Sequence, residues 1–285
     1  MANSFYAVVL FFFVFWSSSN AETSISASKL QIINGSNETI DIFWLESDTA
    51  RVPNGSVAAG KSKMISSASK ENHYVTRDVS GWSVHINQSL LDSAPDLTEL
   101  AMKLLQVQLD DIVVVVPATA VAELKKVPLW ISPEYPATQP RAEYHTAANW
   151  LRENNRDPAM AKGVEFTNVR IFEAETRRMP NFALHELAHA FHDRVLRLGF
   201  GNPEIKVAFG VAKQSGKYDK VERRDSEGRT RLDRAYAMTS PQEYFAESTE
   251  AFFSRNDFFP YNKKELIQHD PETAKLMSDL WGVRR

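Results

Sequence analysis

The sequence predicts an α+β fold in two parts: a small all-β sandwich module over residues 22–80, then a larger mixed domain over residues 81–285. Three observations carry this prediction. Short apolar or alternating runs, bounded by Asn-Gly and Pro-Asn-Gly signals, crowd into residues 28–78. Beyond Gly81, runs of helical period alternate with strand-like runs. Within the mixed part, Leu184, Leu187, Ala188, Phe191 and Val195 form an apolar stripe beside His185 and His189, which marks a helix with one buried side.

Residues 1–21 read as a signal peptide. Tyr6 to Trp16 is an uncharged apolar run too short to span a bilayer, and the small polar stretch Ser17 to Ala21 offers a cut after Ala21. The β module should then contain strands at Leu30–Ile33, Thr39–Leu45, near Lys63–Ile65 and at His73–Thr76, with turns at Asn34-Gly35, Pro53-Asn54-Gly55 and Gly60. In the second part, Trp82–Ile86 is a strand and Asp96–Leu109 a helix led by Pro95. Ile112–Val116 reads as a buried strand closed by Pro117, Ala118–Lys126 as a short helix and Leu129–Ile131 as another strand. Tyr144–Asn155 looks helical. Val164–Phe172 alternates like a strand, a natural edge on which an extended peptide adds by β-pairing. Helices follow at Pro203–Ser215, Pro241–Ser254 and Pro271–Trp281. The charged segment Lys217–Arg234 separates the first two and turns at Asp225-Ser226-Glu227-Gly228.

Composition narrows the class. The chain has no cysteine, which excludes thiol catalysis and Cys-ligated metal. A net charge of −3 argues against a nucleic-acid partner, and no later segment reaches transmembrane length. Four sequons, at Asn34, Asn37, Asn54 and Asn87, agree with export and mark candidate N-glycosylation sites of a secreted, extracellular protein.

The chemistry centres on His185-Glu186-Leu187-Ala188-His189. Helical positions four apart lie one above the other, so the two imidazoles can grip one metal ion while Glu186 reaches a water bound to it. Zinc, one per chain, suits two imidazoles, a third protein ligand and one open position. The third ligand must come from elsewhere. Position 195, six beyond His189, is Val and not His. His192 sits on much the same helix and reads as a surface or hydrogen-bonded residue, and Asp193 as exposed or salt-bridged. The richest source is the helix begun by Ser240 and Pro241, where Glu243, Glu247 and Glu250 share one face among aromatic neighbours. Acidic groups on a packed helix need partners, and a metal with its histidines provides one. Glu243 as ligand, with Glu247 one turn later accepting the second N–H of a ligating histidine, would meet both needs.

These residues carry a resemblance. HELAH followed by a helix bearing Glu-x-x-x-Glu resembles the gluzincin zinc peptidases. Tyr236 followed by Glu243-Tyr244-Phe245-Ala246-Glu247 resembles, more narrowly, the lethal-factor-like family of anthrax lethal factor and the Pro-Pro endopeptidases. The resemblance implies a zincin-like metallopeptidase domain in which Glu243 is the third zinc ligand, Glu247 supports a histidine ligand and Tyr236 donates a hydrogen bond near the scissile carbonyl. It also implies a protein or peptide substrate. In the first part, Ile42-Phe43-Trp44-Leu45 with Val52-Pro53-Asn54-Gly55, Ala59-Gly60-Lys61-Ser62 and Arg77-Asp78 resembles the von Hippel–Lindau β domain, which implies a module that binds a protein partner. The expectation is a secreted zinc endopeptidase with Glu186 as general base. Its rival is a non-catalytic secreted binding protein whose β module recognises a partner while the zincin domain serves as scaffold.

Overall fold

The structure, a computed structural model, describes residues 29–35, 37–45, 51–66, 73–136 and 138–283. The expected signal peptide lies outside these residues. The chain divides into two compact units, residues 1–71 and 72–285.

The first unit contains β1 (Lys29–Ile33), β2 (Ile40–Leu45), β3 (Arg51–Val57) and β4 (Ser62–Ser66). They form two antiparallel pairs, β1 with β4 and β2 with β3. Strand β3 replaces the turn expected at Pro53-Asn54-Gly55. Proline lacks the ladder donor, but a strand paired on one side only tolerates it, and the β2–β3 register breaks between Asp41 and Phe43. Gly60, at φ +65°, makes the turn into β4.

The sequons fare unequally. Asn34 is buried, and its Nδ2 donates to the carbonyls of Glu38 at 2.7 Å and Val57 at 2.8 Å. Asn87 is buried too, its Oδ1 capping the next helix through Ser89 N at 3.0 Å. Asn37 is exposed. Asn54 lies in β3, its side chain outside the described residues.

The second unit opens with β5 (Tyr74–Val79) and β6 (Trp82–Asn87), an antiparallel hairpin closed by Ser80 and Gly81, both at positive φ as a tight two-residue turn requires. This hairpin moves the boundary: the strand expected at His73–Thr76 belongs to the larger unit's sheet, so the division falls at residue 71 and not at 80. Next come α1 (Gln88–Ser93), α2 (Pro95–Val115), α3 (Ala118–Leu124), β7 (Leu129–Ile131), β8 (Ala142–Tyr144), α4 (Ala148–Glu153), β9 (Val164–Phe166) and α5 (Phe172–Arg178). The chain ends through α6 (Phe182–Arg194), α7 (Pro203–Ser215), the hairpin β10 (Val221–Arg224) and β11 (Thr230–Asp233), α8 (Pro241–Phe253), α9 (Lys263–His269) and α10 (Pro271–Leu280). Helices and a mixed sheet together make an α+β unit.

Helix α2 absorbs the strand expected at Ile112–Val116. Its buried stripe runs Ala101, Met102, Leu105, Gln108, Leu109, and Ile112 falls in register with it. That alignment outweighs the strand preference of the β-branched run, and Val114 simply points outward, 82% exposed. Pro117 forces Val116 into an extended conformation and ends the helix. Leu105 is wholly buried in this core. Leu105→Ala is expected to lower the unfolding free energy by about 2–5 kcal/mol, measured by urea denaturation.

The sheet order is β5-β6-β7-β9-β8, with β6, β7 and β9 parallel and β8 antiparallel to β9. Strand β9 is therefore interior and only three residues long, and the edge expected at residues 164–172 is supplied by β8. The helix expected from Tyr144 begins only at Ala148. Along β8 the backbone groups alternate. Arg141 O and His145 N bond toward the β9 side, to Thr167 N and Gly163 O at 2.9 Å each, so Ala142 and Tyr144 turn theirs outward. Helix α6 packs against α2, β8 and α8. Gln108, wholly buried on α2, holds the start of α6: its carbonyl accepts from Asn181 Nδ2 and its Oε1 from Ala183 N, both at 2.9 Å.

Candidate metal centre

Helix α6 begins at Asn181, whose Oδ1 accepts from Leu184 N at 3.0 Å. Phe182, Leu184, Leu187, Ala188 and Phe191 sit in the main core. That burial fixes the helix's rotation, and the remaining face carries His185, Glu186 and His189. Helix α8 begins at Ser240, whose Oγ accepts from Glu243 N at 3.2 Å. The cap places Glu243 in the first turn, facing the histidines.

The three candidate ligand atoms converge. His185 Nε2 lies 3.1 Å from Glu243 Oε2 and 3.2 Å from His189 Nε2, and His189 Nε2 lies 3.4 Å from Glu243 Oε2. A tetrahedral ion with ligands at about 2.0–2.1 Å sets neighbouring ligand atoms about 3.3–3.4 Å apart. The donor set and its spacing fit such an ion. Charge agrees: burial would raise the Glu243 carboxyl, but His185 and His189 hold it well below the usual range. Burial pushes His185 down, yet Glu250, Glu243 and Glu186 carry it well above its ordinary value, so the field at the centre favours a cation.

The outer carboxylate differs from the expectation. His185 Nδ1 hydrogen-bonds Glu250 Oε1, whereas Glu247 Oε1 stands 3.9 Å away, beyond hydrogen-bond reach. Glu247 instead accepts from Asn256 Nδ2 at 2.9 Å. Seven residues past Glu243 is two helical turns, and the extra turn reaches the far nitrogen of the ring where four residues does not. Both carboxylates are buried, and burial raises the pKa of each; Glu247 is raised further by Glu250. His185, Glu247 and Glu250 also form a close buried group, but it meets His185 through Nδ1, and Glu250 does not line the cleft, whereas all three members of the Glu243 set do.

That cleft has a volume of about 400 Å³. It gathers His185, Glu186, His189, Tyr236 and Glu243 along one lining. Glu186 Oε2 accepts from Tyr144 N at 2.8 Å, on the free edge of β8. Tyr236, 47% exposed, stands in a short 3-10 turn just before α8; burial and Glu243 raise its phenol, so it keeps its proton. Asp193 accepts from Tyr144 Oη at 2.7 Å and Lys162 Nζ at 2.5 Å, as an ion-paired residue should. His192 is neither exposed nor hydrogen-bonded. It is wholly buried between the rings of Phe200 and Phe245, and burial lowers its pKa to about 4.

No family model, curated protein or solved structure matches this chain.

Proposed function

We propose that this chain is a secreted zinc-dependent endopeptidase of the gluzincin type, similar to the lethal-factor-like peptidases. The observation that carries the reading is the convergence of His185 Nε2, His189 Nε2 and Glu243 Oε2 within 3.4 Å of one another, beside Glu186 and Tyr236 in one cleft. Those three residues would hold the zinc. Bound there, zinc supplies a Lewis acid that acidifies water and polarises a carbonyl.

The chain's own groups divide the remaining work. Glu186 has one carboxylate oxygen held by Tyr144 N–H, which leaves the other to take a proton from the attacking water. It passes that proton to the leaving amide nitrogen as the peptide bond breaks. Tyr236 donates its O–H to the oxyanion that develops on the carbonyl. The outward N–H and C=O of Ala142 on β8 give an extended peptide a strand to pair with, which sets the scissile bond against the cleft.

Chelation followed by zinc repletion tests the reading. Chelator-treated protein is expected to lose cleavage of a mixed peptide library, with mass-spectrometric readout, and equimolar zinc to restore it. Full cleavage by metal-free protein would refute the mechanism. Zinc-loaded protein that cleaves nothing yet retains a tight partner would favour the scaffold reading.

A further inference from the structure

Three arginines, Arg141, Arg178 and Arg223, line the same cleft and have no part in the chemistry above. Two are held from behind. Asp257, 1% exposed, accepts through one oxygen from Arg178 Nη1 at 2.7 Å and Arg223 Nε at 3.1 Å. Glu175 takes Arg178 Nη2 at 2.5 Å. The Arg223 guanidinium rests over the ring of Phe258, 4.7 Å from its centroid, and Asp233 comes no nearer than 4.0 Å. Among the described residues, neither Nη of Arg223 makes a hydrogen bond.

Asp257 and Glu175 balance the two guanidiniums in charge, so what the group offers a ligand is the hydrogen-bond capacity that Arg223 leaves unused. Besides Asp257, two further carboxylates line the cleft outside the ligand set and the base Glu186: Glu143 is taken by Arg156 at 2.6 Å and stands 3.7 Å from Arg141, and Glu247 is engaged by Asn256. The side chains of Arg178 and Arg223 keep 22% and 31% exposure, and both line the cleft. A guanidinium fixed by a buried carboxylate loses little freedom on binding, and its fork matches a second carboxylate. The ring beneath Arg223 excludes water from one side and strengthens such a pair.

We propose that Arg178 and Arg223 form a preformed anion subsite of the cleft, which selects peptides bearing Asp or Glu within a few residues of the scissile bond. The inference rests on the peptidase reading. An ion cluster that merely ties β10 to α5 would affect all substrates alike.

The test compares peptide pairs that differ only as Asp/Asn or Glu/Gln at each position flanking the cleaved bond, using the full zinc-loaded chain and Arg223→Gln. The acidic member is expected to exceed its amide twin roughly tenfold or more in kcat/KM at one or two positions, mainly through KM. In Arg223→Gln that ratio falls toward one, and Arg223→Lys, which keeps the charge without the fork, retains part of it. Equal cleavage of the twins by the parent chain overturns the subsite, as does an unchanged ratio in Arg223→Gln. If zinc-loaded protein cleaves no peptide of either kind, the peptidase reading falls and takes the subsite with it.

Discussion

Glu186→Gln is expected to retain one zinc per chain and to hydrolyse peptides about 10²–10⁴ times more slowly than the parent protein. Glutamine keeps the shape of the side chain and can still accept the Tyr144 N–H that Glu186 accepts at 2.8 Å. It cannot take a proton. The ligand atoms of His185, His189 and Glu243 are untouched, so metal content by atomic absorption should equal that of the parent. Loss of rate without loss of metal separates a base from a structural residue. A variant holding both zinc and full activity would sink the mechanism.

Glu250→Gln is expected to weaken zinc binding about 10–100-fold, while Glu247→Gln leaves it within about threefold. The contrast follows from geometry. Glu250 meets His185 Nδ1 directly, and an acceptor there would hold a proton on that nitrogen and leave Nε2 to face Glu243 and His189. Glu247 stands 3.9 Å from the same nitrogen and is engaged with Asn256. Competition titrations with a zinc-sensitive dye, run on both variants at one pH, measure the difference. If Glu247→Gln is the more damaging, the supporting role returns to the residue that the lethal-factor-like resemblance implies.

The α6 helix with His185, Glu186 and His189 was legible because a local pattern specifies it: apolar spacing sets the helix, and the histidine interval sets the face. A local signal of the same kind, a cap followed by acids on one side, marked the helix that carries Glu243, while the choice of Glu243 as third ligand came from the resemblance. The choice between Glu247 and Glu250 was not legible, because both lie on that side and only the approach of α6 to α8 decides which reaches Nδ1. Ile112–Val116 carries strong strand preference, yet the register of a long helix claimed it. Strand β9 alternates like an edge, but partner strands decide what is interior, and those lie far away in sequence. The link from Tyr144 N to Glu186 leaves no trace in side-chain identity, since any residue but proline offers that donor. Arg178, Asp257 and Arg223 are likewise ordinary in the sequence and meet only through folding.

Helix α6 is gripped at both ends. Gln108 fastens its start, and at the far end Tyr144 and Lys162 both bind Asp193. A helix pinned in this way cannot slip by a residue without turning about 100° and carrying its histidines out of line. The consequence concerns order of events. Were a metal bound there, its candidate ligands would be brought together by the protein's own packing before the ion arrives, unlike small zinc modules that fold only around their metal. Stripping the ion should then leave the secondary structure standing, and refilling should be a binding step with no folding attached to it.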